Sequence, residues 1–72
     1  MSREVRSPAV GRVVDLPVGV GEIVGAGQEI AVVESMKVEI PVVAEGPGRV
    51  VSLAVAVGVQ VQAGDLLLVL GT

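Results

Sequence analysis

The sequence predicts an all-β domain assembled from two copies of one unit, on three observations. Of its 72 residues, 19 are valine and 10 are glycine, strand formers punctuated by turn formers. No segment sustains a helical apolar period over a useful length. A shift of 37 residues superposes Gly11–Glu34 on Gly48–Gly71 with 12 of 24 positions identical. The matches include the ordered runs Gly-Arg-Val-Val-x-Leu-x-Val-x-Val-Gly and Val-x-Ala-Gly, which are much harder to reach by chance than scattered valines. Units this small cannot each bury an apolar face alone, so the two must pack around one core with an approximate two-fold. The whole chain, 1–72, reads as one domain, expected to bury only about 60% of its unfolded surface.

Glu4–Arg6 forms a short candidate strand, ended by Ser7-Pro8. Gly11–Val18 is the next, and Pro17 near its end implies a sheet edge or a bulge. Gly19-Val20-Gly21 turns the chain, Glu22–Val24 allows a brief strand, and Gly25-Ala26-Gly27 turns it again. Glu29–Ser35 and Val38–Ala44 are two strands rich in β-branched residues, joined at Met36-Lys37. Pro41 lacks an N–H, so the second of them belongs at an edge or carries a bulge. After Gly46-Pro47-Gly48 the pattern restarts. Residues 13, 30, 32, 50, 67 and 69 are expected to be buried, and aspartate at Val32 or Val69 to unfold the domain.

The Met36-Lys37 turn is the unusual feature. A two-residue hairpin loop wants Asn-Gly or Asp-Gly, because both central residues need positive φ. Met-Lys sets those residues aside. The implied register places Ser35 opposite Val38 and Glu34 opposite Glu39, and two facing carboxylates cost roughly 0.2–1 kcal/mol. A lysine at a hairpin tip is ordinarily just a solvated charge. This one is the only lysine in the chain, with 36 residues before it and 35 after. Its counterpart in the second unit would fall at position 74, past Thr72, so the hairpin and the chain termini are expected at opposite ends.

Composition removes several function classes. There is no cysteine, histidine or aromatic residue, hence no thiolate nucleophile, imidazole base or base-stacking platform. A net charge of −3 repels a phosphate backbone, so nucleic acid is not an expected partner. The longest uncharged run, Val50–Gly64, has 15 residues and includes polar ones, short of the roughly 20 apolar residues of a spanning helix. No signal peptide is visible at the start, and the expectation is a complete soluble cytoplasmic protein with no membrane partner. Serines 2, 7, 35 and 52 have no histidine to activate them. The pairs Gly19/Gly21 and Gly25/Gly27 read as turn residues rather than a phosphate cradle. No catalytic residues and no metal site are expected.

Glu34-Ser35-Met36-Lys37-Val38, set in this duplicated Gly/Val frame, resembles the biotinyl/lipoyl carrier domain family, whose biotinyl branch carries Glu-Ala/Ser-Met-Lys-Met at its hairpin. Ser7-Pro8-Ala9-Val10-Gly11 and the run Val20 to Gln28 also match, so the resemblance covers nearly the whole chain. Glu39-Ile40-Pro41-Val42 looks like the short stand-alone biotin carboxyl carriers. The resemblance implies a flattened β-barrel or sandwich of two small antiparallel sheets, with the modified lysine on a hairpin tip. It implies that Lys37 is biotinylated by a biotin protein ligase through biotinyl-AMP, with Glu34, Met36, Val38 and Glu39 as the side chains the ligase reads. Amide formation would remove the cation and leave Glu34 and Glu39 without a local counter-charge.

By the same resemblance the chain is a non-catalytic subunit, carrying carboxylate between a biotin carboxylase and a carboxyltransferase. The acceptor would be an acyl-CoA, as in acetyl-CoA carboxylase, or a 2-oxoacid. One position departs from the pattern. Val38 stands where biotinyl domains have methionine, and lipoyl domains read Asp-Lys-Ala/Val. Lipoate is therefore the alternative cofactor, with Met36 favouring biotin. A carrier-like module that is never modified is the third reading.

Overall fold

The structure is a computed structural model, and it describes residues 2–72. Eight strands make up its regular structure: β1 (Ser2–Arg6), β2 (Gly11–Asp15), β3 (Ile23–Val24), β4 (Glu29–Ser35), β5 (Val38–Val43), β6 (Gly48–Leu53), β7 (Gln60–Val61) and β8 (Leu66–Gly71). They form two four-stranded antiparallel sheets, β1-β8-β6-β3 and β5-β4-β2-β7. The expected pair of small antiparallel sheets is what the chain forms.

The 37-residue repeat is written into the hydrogen bonding. Under that shift β3 falls on β7, β4 on β8 and β2 on β6, while β1 falls on β5. The two sheet orders therefore correspond strand for strand. Gly21 and Gly27 have positive φ, as do Gly58 and Gly64. Gly21 N–H donates to the Val50 carbonyl, and Gly58 N–H donates to that of Val13. Gly25 N–H is received by the Gln28 side chain, and Gln62 N–H by that of Asp65. Each half thus stitches its turn onto a strand of the other half.

The core divides the same way. One cluster centres on Val24, Ile30, Val50, Leu68 and Leu70, and the other on Val61, Leu67, Val13, Ala31 and Val33. These are repeat partners, position for position. Ala44 in the first cluster is answered by Ser7, the one buried polar residue among those described, whose hydroxyl donates to the Ala9 carbonyl at 2.7 Å.

Two glycines are demanded by close backbone approach. A Cβ on Gly11 would overlap the Glu34 carbonyl oxygen, and one on its partner Gly48 would lie 2.7 Å from that of Gly71. Gly11→Ala should therefore force β2 away from the end of β4, costing about 1–3 kcal/mol as overpacking does. The expected result is a lower urea midpoint with an unchanged slope. An unaltered midpoint would show that the strands part freely there.

Several sequence expectations need adjusting. β1 begins at Ser2, not Glu4, because Ser2 and Glu4 pair with Gly71 and Val69, a contact no local reading sees. β2 stops at Asp15 instead of reaching Val18. Leu16 is conformationally restricted by Pro17, which itself cannot donate to a ladder, and Val18 leaves the sheet to fill the core. β5 ends at Val43, one residue short, and Pro41 sits in it as expected, on an edge strand. Val13, Ile30, Val32, Val50 and Leu67 are buried, but Val69 is only half-buried. Neither Val69 nor Val32 belongs to either core cluster. Bulges at Val14 and Val51, opposite these valines, distort the pleat there, so aspartate at Val32 or Val69 no longer implies unfolding.

Candidate functional site

β4 and β5 are the most extensively paired neighbours in the second sheet, and their ladder runs without irregularity from Val42 to the tip. Ser35 pairs with Val38 and Glu34 with Glu39, which leaves Met36 and Lys37 as the whole loop. This is the register the sequence implied. Both loop residues have positive φ, 52° for Met36 and 66° for Lys37. A left-handed conformation costs a non-glycine residue roughly 1–2 kcal/mol, so the tip holds two side chains at an energetic expense that glycine would avoid. What the fold gains is placement. Met36 is 93% exposed and Val38 61%, although both are apolar, and Lys37 stands between them, also exposed.

The charges around the tip are arranged differently from the expectation. Lys37 makes no ion pair among the described residues. Glu34 has its own counter-charge, since Arg12 on β2 lies opposite it in the ladder with its guanidinium 3.7 Å from the carboxylate. Neutralising Lys37 would therefore not leave Glu34 without a nearby cation. Glu39, across the hairpin on the edge strand, has no such partner among the described residues. Sequence reasoning missed Arg12 because its role depends on β2 lying beside β4. The available signal was the duplicated Gly-Arg-Val-Val run, which places an arginine at the same point of each unit.

All five expected site residues, Glu34, Met36, Lys37, Val38 and Glu39, thus fall within one hairpin tip. The structure offers there a primary amine with no ion-pair partner among the described residues, flanked by two exposed apolar side chains, on a two-residue loop at the end of a buried strand. Such a group can act as a nucleophile or an attachment point once another protein removes its proton and supplies an activated acyl group. Elsewhere, no group of three His, Cys, Asp or Glu side chains is placed to hold a metal among the described residues. No helix among the described residues is long and apolar enough to cross a membrane.

Residues 3–70 match the family model described as "Biotin-requiring enzyme". The chain is 41% identical over 70 residues to the biotinylated protein TB7.3 homolog of Mycobacterium leprae, covering 97% of this chain and 99% of that protein. It is 47% identical over 70 residues to the protein of the same name from Mycolicibacterium smegmatis, with the same coverage. Among solved structures, a single-chain, multi-domain long-chain acyl-CoA carboxylase superposes with a TM-score of 0.92 at 32% identity. That match takes in 99% of this chain but only 7% of the carboxylase.

Proposed function

Because this chain belongs to the biotin/lipoyl attachment family, the "Biotin-requiring enzyme" domain, we propose that it is a biotin carrier whose prosthetic group is joined to Lys37. The observation that carries the proposal is the tip itself. The only lysine of the chain is exposed and has no ion-pair partner among the described residues, on a loop that two non-glycine residues hold in the left-handed region. The chain has no histidine to serve as an imidazole base and no cysteine to carry an activated acyl group. A biotin protein ligase therefore supplies both base and activated acyl group. Met36 and Val38 present that ligase with apolar contacts, and Met36 adapts its shape through a flexible thioether. Glu34 and Glu39 frame the approach.

Held on Lys37, biotin would supply the carboxylate-carrying chemistry, and the protein would supply its placement. The rest of this chain supplies rigidity and reach. The partners in this reading are a biotin carboxylase and a carboxyltransferase, in keeping with the similarity to a domain of an acyl-CoA carboxylase, and the chain contributes no catalytic residue of its own. The reading places the carrier in the cytoplasm, beside the ATP that biotinyl-AMP formation consumes, and cell fractionation checks that location.

The proposal is tested by incubating the protein with biotin, ATP and a biotin protein ligase. The expected result is a mass increase of one biotinyl group, mapped to Lys37. Biotin is favoured over lipoate by the names of the two mycobacterial relatives and by Met36. Met36→Asp places a charge against the ligase surface and is expected to lower biotin incorporation while raising acceptance by a lipoate ligase. Val38→Met should speed biotinylation with the fold unchanged. Wild-type protein that takes lipoate readily and biotin hardly at all would show that Val38, not Met36, identifies the cofactor.

A further inference from the structure

The outer face of the hairpin-bearing sheet carries a shallow groove of about 470 Å³, lined by Val14, Asp15, Glu29, Val32, Glu39 and Pro41. Its floor is apolar and its rim holds three carboxylates. None of the three, Asp15, Glu29 or Glu39, has an ion-pair or side-chain hydrogen-bond partner among the described residues. The bulge at Val14 creates the width, because Val14 and Asp15 together oppose the single residue Val32.

The internal repeat supplies a comparison within the molecule. The other sheet has the same bulge at Val51, and its repeat partners for Val14 and Val32 are Val51 and Val69. Asp15, Glu29 and Glu39, however, correspond to Ser52, Leu66 and Ser2. The one acid on that face, Glu4 in the place of Pro41, is ion-paired with Arg6. The backbone is duplicated, but free acceptors rim the groove only on the sheet that carries Lys37.

Resting on the carrier reading, we propose that this groove is an intramolecular resting site for the biotinyl group of Lys37. The bicyclic ring lies on Val14, Val32 and Pro41, and its ureido N–H groups donate to the rim carboxylates, since charged acceptors make the stronger hydrogen bonds. The reach is adequate. Pro41 is four strand residues from Lys37, about 13 Å. The lysyl and valeryl chains put roughly ten bonds of about 1.5 Å between the Lys37 Cα and the ring, about 12 Å when extended. The ring itself covers the remainder. Tethering also means that weak affinity suffices, because a short flexible link gives a local concentration in the millimolar range. The resting site keeps the ring against its carrier between visits to partner active sites.

The test compares three forms of the full chain by two-dimensional NMR: unmodified, acetylated at Lys37, and biotinylated, each verified by intact mass. Acetylation removes the charge without supplying the ring. The expected result is amide shifts at Val14, Asp15, Val32 and Glu39 in the biotinylated form alone, with contacts between ring protons and the Val14 and Val32 methyl groups. Val51, Ser52 and Val69 should stay unshifted. Fully biotinylated protein whose shifts match the acetylated form beyond residues 35–38 would overturn the resting site and leave the carrier reading intact. Failure to take up biotin at all would overturn both.

Discussion

Lys37→Arg is expected to abolish biotin incorporation and leave the fold as it is. Arginine keeps the charge and nearly the length of lysine, but its guanidinium holds its proton far more tightly and offers no free amine to an acyl adenylate. The fold should be indifferent because the Lys37 side chain is exposed and makes no ion pair among the described residues. Substitutions at such sites usually change stability by less than about 0.5 kcal/mol. Both loop residues are already non-glycine at positive φ, so arginine inherits the conformational cost of lysine and adds none. The measurement is intact mass after treatment with ligase, ATP and biotin, beside a circular dichroism melt. A folded Lys37→Arg protein that still gains the mass of biotin would end the assignment of this residue as the attachment point.

Val33→Asp is expected to unfold the domain, whereas the same change one residue earlier should not. Val33 is fully buried between Val13 and Ile40 in the ladder and belongs to the core cluster with Ala31 and Leu67. Leaving an uncompensated charge in such a place costs about 3–5 kcal/mol, and no cation of the described residues lies in that cluster to pair it. At about 0.05–0.15 kcal/mol per residue, a chain of this size has a total stability of roughly 4–11 kcal/mol, so much or all of it is lost. Val32 is 8% exposed but lines the outer groove, where an aspartate reaches water and meets only the repulsion of its acidic neighbours. Circular dichroism at 25 °C and urea titration separate the two variants. If Val32→Asp proved as damaging as Val33→Asp, the outer face would be as dry as the core, and the groove would not exist as described.

The contrast between these adjacent valines shows where sequence reading stops. The run rich in β-branched residues within Glu29–Ser35 identifies a strand and its length, and the structure returns the same seven residues as β4. It does not identify which face each residue takes. The register between β4 and β5 shifts at Ile30, so Ile30 and Ala31 are both buried, in different clusters. One extra residue in a ladder changes which side chains share a face. The same irregularity recurs at Leu67 in the second unit, which is why Val69, like Val32, stands outside both core clusters.

What the sequence determined by itself is the local part of the design: the β class, the duplication, the hairpin with Met36 and Lys37 as its loop, and the pairing of Glu34 with Glu39. These follow from interactions between residues near one another in the chain, or from the repeat, which is visible as text. The tertiary structure decided the rest. It set Arg12 beside Glu34, extended β1 to Ser2 through pairing with β8, and turned Asp15, Glu29 and Glu39 towards one groove. Each of these depends on which strands lie side by side and where a bulge breaks the pleat. Those features are fixed by packing two sheets around a shared core, and no stretch of sequence specifies them alone.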